Sequence, residues 1–365
     1  MVDETAAPDA HPARPLVIVT GGSGLLGSKL VERLHTDHDV VVFDVQGDSV
    51  SPADVDFVCT DLTSDRSVER ALQRVRDAHG ERIASVVHLA AYYDFAGGDS
   101  ELYETITVDG TRRLLEALRP FDVEQFVFSS TMLVHEPTEL GEEIDEGDPI
   151  AESWPYPTSK VRTEAVIDQH RDVSRSQVIV RIAGAYDEDG HSPPITNQIK
   201  RIDGKWPTSH FYPTDTELGQ AFVHVDDAVD ALVRIVERRA ELPDRYPVLI
   251  GEPDTVGYGE LQDMIGSALH GTEWRTFRVP PLLAKVGAWA REKNPFGEDP
   301  FIRSWMIDRA SDHYDLDITS AREHLGWEPE HHVAEVVPVM VQRLQHDRDG
   351  WYRRNDLTPP RRVLP

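Results

Sequence analysis

Short, unbroken apolar runs alternate along the first half of the chain with stretches whose apolar residues recur every three or four positions. Leu16–Thr20 (LVIVT), Val40–Val45 (VVVFDV), Val55–Thr60, Ala84–Ala91 (ASVVHLAA), Gln125–Ser130 (QFVFSS) and Gln177–Ile182 form the first set. Such β-branched, continuous runs suit strands buried on both faces. Between them, Leu25–His35, Ser64–His79, Leu102–Leu118 and Tyr156–His170 read as helices; Val68, Leu72 and Val75 share one face of the second. Strands alternating with helices at this spacing predict an α/β fold, a doubly wound parallel sheet with right-handed crossovers.

The texture changes after Ala183. Residues 184–221 show no clear period, Val223–Arg239 returns to a strand-like start and a helix, and Val248–Gly251 suits another strand. Residues 252–330 are mixed and rich in proline. The pattern predicts a flexible tail over 1–14 and a main sheet domain over 15–183 and 221–251. A smaller mixed α/β lobe takes 184–220 and 252–330. Residues 331–365 supply a closing helix, Val333–Gln345, and an Arg/Pro-rich tail.

The charge balance narrows the partners. Of 365 residues, 65 are Asp or Glu and 37 are Lys or Arg, a net charge of −28. That field repels phosphate backbones and anionic bilayers, so nucleic-acid and membrane partners are not expected. Acids are spread along the whole chain, and arginines far outnumber lysines. A distributed excess predicts a surface adapted to concentrated salt, where self-repulsion is screened; an ordinary acidic cytosolic enzyme is the alternative. The single cysteine, Cys59, rules out an intrachain disulfide and suits a reducing cytoplasm. No signal-type segment opens the sequence, and no run approaches the length of a membrane span.

Thr20–Gly27 reads TGGSGLLG, containing both Gly22-x-Gly24-x-x-Gly27 and Gly21-x-x-Gly24-x-x-Gly27. Glycine is needed there for a tight turn, for close backbone approach to a pyrophosphate and for helix–strand packing, and the helix N-terminus then faces the anion. The loop follows a strand, opens a helix and is followed by Asp44 at the end of the next strand, the setting of a dinucleotide site. A carboxylate at Asp44 accepts from an adenosine ribose and repels a 2′-phosphate, so NAD is expected rather than NADP. Asp61 suits either the adenine amino group or the cap of the following helix.

Tyr156-Pro157-Thr158-Ser159-Lys160 opens a helix, with Tyr156 and Lys160 on one face. A neighbouring ammonium favours phenolate, which lets the phenol act as acid or base nearer neutrality. The preceding strand ends in Ser129-Ser130-Thr131, at the carboxyl edge where ligands of this architecture sit.

Together these residues resemble the extended short-chain dehydrogenase/reductase superfamily, in its NAD-dependent epimerase/dehydratase-like branch. The resemblance covers about residues 16–250. It rests on TGGSGLLG, Asp44, Asp61-Leu62, His88–Ala91, Val108-x-Gly110-Thr111, Phe128–Thr131, Tyr156–Lys160, Arg181 and Phe222–Asp227. It implies a Rossmann-type sheet with a substrate lobe. Thr131 would bond the reacting oxygen, Tyr156 would move its proton, and Lys160 would help the tyrosine and hold the nicotinamide ribose. Gly21, Gly24, Leu25, Leu26, Gly27, Asp44, Asp61, Leu62, Leu89, Ala90, Ala91 and Ser129 complete the expected cofactor contacts. His224 and Asp226 would close the site, and a homodimer would form through helices at about 102–118 and 156–170.

The departures from the family pattern also inform. Thr107 stands where Asn usually precedes Val-x-Gly-Thr. Met132-Leu133 replace the Asp-Glu of sugar 4,6-dehydratases, which removes the acid and base of elimination. Arg181-Ile182-Ala183-Gly184 replace a segment many sugar-nucleotide epimerases carry. The expected chemistry is hydride transfer between NAD and a secondary alcohol or ketone on a small molecule of steroid, flavonoid or isoprenoid size. A nucleotide-sugar epimerase with recycled NAD is the alternative, favoured by Arg201, Lys205, Arg275, Arg278 and Arg303; a non-catalytic NAD-binding regulator is a remote third. Tyr92, Tyr93 and His135 are candidate substrate contacts. His191, His210 and His224 are too scattered for a metal, and none is expected. Pro280–Trp289 reads as core, pocket roof or dimer surface.

Overall fold

The structure, a computed structural model, describes residues 14–47, 52, 55–94, 100–205, 207–285 and 304–360. Residues 1–13 of the tail expected over 1–14, residues 286–289 of the proline-led stretch and Arg303 lie outside them.

Seven parallel strands form the main sheet: β1 (Leu16–Thr20), β2 (Asp39–Asp44), β3 (Asp56–Cys59), β4 (Arg82–His88), β5 (Asp122–Thr131), β6 (Ser174–Ile182) and β10 (Arg245–Ile250). Their order is β10-β6-β5-β4-β1-β2-β3. The continuous apolar runs are explained by two-sided burial. Val17, Val19, Val40 and Val42 pack into one layer, while Leu16, Ile18, Val41 and Phe43 pack into the other. The two-residue strand period thus divides one run between two cores.

The first layer is closed by α1 (Leu25–Leu34) and α6 (Val225–Glu237), through Leu30, Val31 and Leu34 against Val229, Leu232 and Ile235. The second is closed by α2 (Asp65–His79), α3 (Asp109–Leu118) and α4 (Pro155–Gln169), through Val68, Leu72 and Val75 with Leu114, Leu118 and Ile167.

Several elements differ from the sequence expectation. The stretch read as one helix over Leu102–Leu118 begins as a π-helical turn, Tyr103–Val108, before α3. Asp109 N–H there donates to Glu104 O. Thr107 is occupied at both ends: its hydroxyl accepts from Tyr92 N–H (3.0 Å), and its carbonyl accepts from the Thr111 hydroxyl (2.6 Å). Residues 184–220, read as aperiodic, contain β7 (Gly184–Tyr186), which pairs in parallel with β9 (Phe222–His224), α5 (Pro193–Asp203) and the short β8 (Phe211–Tyr212). Two prolines open α5, where their missing N–H groups cost nothing.

A third cluster lies outside the sheet. Ile195, Ile199 and Ile202 of α5 meet Leu261 and Ile265 of α7 (Tyr258–His270) and Val337, Met340 and Leu344 of the helix Val333–His346. The closing helix therefore shares a core with residues of the smaller lobe. Beyond it, the expected tail contains another helix, Arg348–Arg354, with Trp351 and Tyr352 fully buried. Arg348 pairs with Asp203 at 2.7 Å, and Tyr352 donates its hydroxyl hydrogen to the same carboxylate at 2.8 Å.

Candidate functional site

The strand order reverses between β1 and β4, the place where open parallel sheets hold ligands beyond their carboxyl ends. Thr20, Asp44, His88 and Thr131 end their strands on this one edge.

The glycine loop leaves β1 and enters α1. Gly21 has φ +71°, and a Cβ on it would sit 2.8 Å from Ala90 N. A Cβ on Gly27 would overlap the Gly21 carbonyl, and one on Gly24 would lie 3.3 Å from that same oxygen. Backbone therefore fills the space that side chains would take. Gly24 caps α1 without a side-chain bond, and the first turn carries no acid, so the amide donors face outward with nothing negative of their own. This cradle fits the diphosphate of NAD. Gly21→Ala is expected to weaken NAD binding at least tenfold by titration, because the added methyl must push Ala90 away from the loop. Unchanged affinity would remove the cradle from the argument.

Asp44 is tied to the loop: its Oδ2 accepts from Ser23 N–H at 3.0 Å and its Oδ1 from Val45 N–H at 2.7 Å. Leu25 is exposed, Leu26 is half-buried, and Leu89 lies partly buried against the first core. Ala90 and Ala91 are half-buried, and Ala90 stands against Gly21. Asp61 is exposed and accepts from both the amide and the hydroxyl of Thr63, bonds that hold its carboxyl below the usual range. Ser64, not Asp61, caps α2, accepting from Ser67 N–H at 3.3 Å. Leu62 is buried beneath Gly110, whose Cβ would approach to 3.1 Å.

Thr131, Tyr156 and Lys160 come together. Pro155 opens α4 and places the phenol in its first turn, with the Thr131 side chain close enough to act on it. Thr131 Oγ1 accepts from Leu133 N–H (3.3 Å), which fixes its rotamer. Lys160 is 3% exposed; its ammonium donates to Ser129 O at 2.7 Å and lies 4.8 Å from the Phe128 ring centre. Burial pulls the Lys160 amine down to about 7, with the Glu164 carboxylate opposing. Burial pushes the Tyr156 phenol up to about 12, with the Thr131 hydroxyl opposing. The expected lowering of the phenol by lysine is therefore absent in the protein alone. The amine sits 5.9 Å from the phenol ring centre, and desolvation dominates both groups.

An aromatic wall surrounds the phenol. Tyr93 meets the Tyr156 ring edge-on at 5.1 Å, Trp154 lies 5.6 Å from it, and Tyr92 packs edge-on against Tyr103 at 4.8 Å. The Tyr93 side of the wall is exposed. His135 does not join it. That ring is buried with Nε2 facing Arg181 Nη1 at 3.0 Å, and burial with the guanidinium charge holds it down to about 4. His224 is fully buried and stacked on His331 at 4.0 Å. Its Nδ1 accepts from Asp226 N–H, and Asp226 pairs with Lys29 across α1 and α6.

The sequence reading missed one element beneath Thr131, Tyr156 and Lys160. Glu164, one turn after Lys160, forms a buried two-point pair with Arg181 (2.9 and 3.3 Å) and accepts from Ser130 Oγ (2.5 Å). This pair joins α4, β5 and β6 under Ser129–Thr131. The one available signal was an acid four residues from Lys160; Arg181 lies 17 residues further on in a different element.

His191 pairs with Asp187, and His210 stacks on Trp274. Among the described residues no group of three or more His, Cys, Asp or Glu is arranged to hold a metal.

Known proteins give the same picture. The model of the NAD-dependent epimerase/dehydratase family matches residues 17–251. Short-chain dehydrogenase/reductase family 42E member 1 of Bos taurus is 26% identical over 356 residues, covering 88% of this chain and 86% of that protein. A putative UDP-glucose 4-epimerase of Methanocaldococcus jannaschii is 28% identical over 357 residues, covering 94% and 100%. The fold matches that of Thermus thermophilus UDP-glucose 4-epimerase in complex with NAD, with TM-score 0.68, 22% identity and 91% and 99% coverage. With a glycine cradle and a Thr–Tyr–Lys group on one sheet edge, the chain belongs to the NAD-dependent epimerase/dehydratase family of the extended short-chain dehydrogenases/reductases.

Proposed function

We propose that the protein interconverts a secondary alcohol and a ketone, with Tyr156 as the acid/base. The observation that carries this reading is the Thr131 hydroxyl set beside the Tyr156 phenol, with buried Lys160 anchored on Ser129 at the same edge as the glycine cradle. NAD, when bound, supplies the hydride acceptor or donor.

The chain's own residues do the rest. Gly21, Gly24 and Gly27, with the start of α1 at Leu25 and Leu26, would hold the diphosphate. Asp44 would hold the adenosine ribose, and Asp61 and Leu62 would border the adenine. Leu89, Ala90, Ala91 and Ser129 would line the cofactor. Thr131 orients the reacting oxygen, and Tyr156 gives it a proton or takes one at the phenol oxygen. Lys160, with an amine near 7, takes up positive charge at modest free-energy cost as that proton moves.

The aromatic wall of Tyr92, Tyr93 and Trp154 favours a substrate with an apolar ring or chain beside its carbinol carbon. In the smaller lobe, Arg201 donates to Gln198 and to Thr208 O, Arg275 pairs with Glu273, and Arg278 pairs with Asp215. These engaged cations weigh against a nucleotide diphosphate. The full-length similarity to a putative UDP-glucose 4-epimerase favours the second reading, an epimerase with recycled NAD. Absorbance at 340 nm separates the two: net reduction of NAD with cyclic secondary alcohols supports the dehydrogenase. Tightly retained cofactor and interconversion of nucleotide-sugar epimers without net reduction would replace it.

In this reading residues 15–183 and 221–251 bind the cofactor, while 184–220 and 252–330 hold the substrate. A homodimer through α3 and α4 and a cytoplasmic setting belong to the same proposal; the two helices lie side by side in the second core. The acidic surface is part of it too. At 1 M salt the Debye length falls to about 3 Å, which screens the self-repulsion of a −28 chain. Activity and melting temperature are therefore expected to rise from low salt toward molar salt; a flat or falling profile would remove the salt adaptation.

A further inference from the structure

His88 ends β4 and is fully buried between the two halves of the site, yet no step above uses it. Its ring has a hydroxyl on each side. Nε2 lies 2.8 Å from Thr111 Oγ1, and Nδ1 lies 2.7 Å from Thr20 Oγ1. The Thr111 hydroxyl hydrogen is committed to Thr107 O at 2.6 Å, so that oxygen accepts from the ring and Nε2 carries the hydrogen. Burial and the nearby Lys160 charge hold the imidazole down to about 3, so the ring is neutral and Nδ1 bears a lone pair. Thr20 must then donate to Nδ1, which leaves its oxygen to accept from Ala90 N–H at 3.2 Å.

The directions close into one chain. Ala90 N–H donates to Thr20, Thr20 to His88, His88 to Thr111, and Thr111 to Thr107 O. Tyr92 N–H returns to the Thr107 hydroxyl at 3.0 Å. Both ends thus hold the turn Leu89–Tyr92, the turn whose Ala90 amide stands against Gly21. The Ser129 hydroxyl donates to His88 O at 3.3 Å, and Ser129 O accepts from Lys160. Thr107, the departure from the usual Asn, is the residue that completes the loop.

We infer that His88, fixed as its Nε2–H tautomer by Thr20 and Thr111, is a positioning residue that clamps the Leu89–Tyr92 turn against the glycine loop and so shapes the NAD cradle. The inference rests on the reading that this loop holds NAD, and it adds a residue set that acts only through others.

Two measurements test it. In the wild-type protein, ¹⁵N-resolved NMR of the His88 ring is expected to show a protonated Nε2 and a bare Nδ1 that stay unchanged from pH 5 to pH 8. Thr20→Val removes the donor to Nδ1 and the acceptor for Ala90. It is expected to raise the Kd and KM for NAD about tenfold, in line with one lost buried hydrogen bond and its stranded partner, while kcat at saturating NAD changes much less. Thr20→Ser, which keeps the hydroxyl, is expected to restore both constants. An Nδ1–H tautomer, or a ring titrating within that range, would overturn the assignment whatever the variants do. Equal NAD affinity in the valine variant, or a wild-type protein with no NAD affinity, would overturn the clamp; the second result alone would also sink the functional reading.

Discussion

Tyr156→Phe is expected to lower kcat roughly 100- to 10,000-fold, the usual contribution of a positioned acid/base, while NAD affinity stays close to that of the wild type. The substitution removes one oxygen and keeps the ring. Packing against Tyr93 (5.1 Å) and Trp154 (5.6 Å) is retained, so the variant should fold and bind cofactor. What it loses is the phenol oxygen that carries the reacting proton in the proposed reaction. The raised phenol, near 12 in the protein alone, makes this a sharper test than a low value would. Burial favours the neutral phenol, ready to donate toward a ketone. In the oxidative direction the proton must leave it, so activity in that direction should climb with pH more steeply than in reduction. Steady-state kinetics in both directions, with NAD binding measured by titration, checks all of this. Turnover retained in the phenylalanine variant would show that another group moves the proton.

The parts of this site that were legible in the sequence are those set by local chemistry. The glycine spacing is visible because only glycine fits at Gly21 and Gly27, and the helix spacing puts Tyr156 and Lys160 on one face whatever surrounds them. The strands were legible because two-sided burial writes continuous apolar runs. Tertiary choices were not. The π-helical turn at Tyr103–Val108 contains Thr107 with its bonds to Tyr92 and Thr111, and no period announces it. Helix α5 was hidden because Pro193-Pro194 resemble a loop signal as readily as a helix start. The helix at Arg348–Arg354 looks like a charged tail until Trp351 and Tyr352 are seen packed with α5 and α7. His135, read as a substrate contact from its place after Thr131, turns inward because Arg181 offers its ring a partner.

Arg181 is also where the largest change in stability is expected. Its guanidinium and the Glu164 carboxylate are almost wholly buried, 6% and 3% exposed at the side chain, and joined at two points. Arg181→Met leaves the carboxylate in a low-dielectric interior with the Ser130 hydroxyl as its remaining hydrogen-bond donor among the described residues. The expected loss is about 3–5 kcal/mol, because an unpaired buried charge keeps its full desolvation cost. The guanidinium also donates to Glu146 O (3.2 Å), so the loop before α4 should loosen in the same variant. Combining Arg181→Met with Glu164→Leu removes both charges and should recover most of the loss, since hydrophobic replacements of buried pairs are often near neutral. Activity should not recover with stability. Ser130 loses its acceptor in the double variant, and Ser130 lies between the carbonyl that anchors Lys160 and Thr131 beside the phenol. Denaturant unfolding of the single and double variants, read beside kcat, separates the two roles. A single variant that loses under 1 kcal/mol would mean the pair is solvated in solution. A double variant with full activity would mean it supports the fold alone.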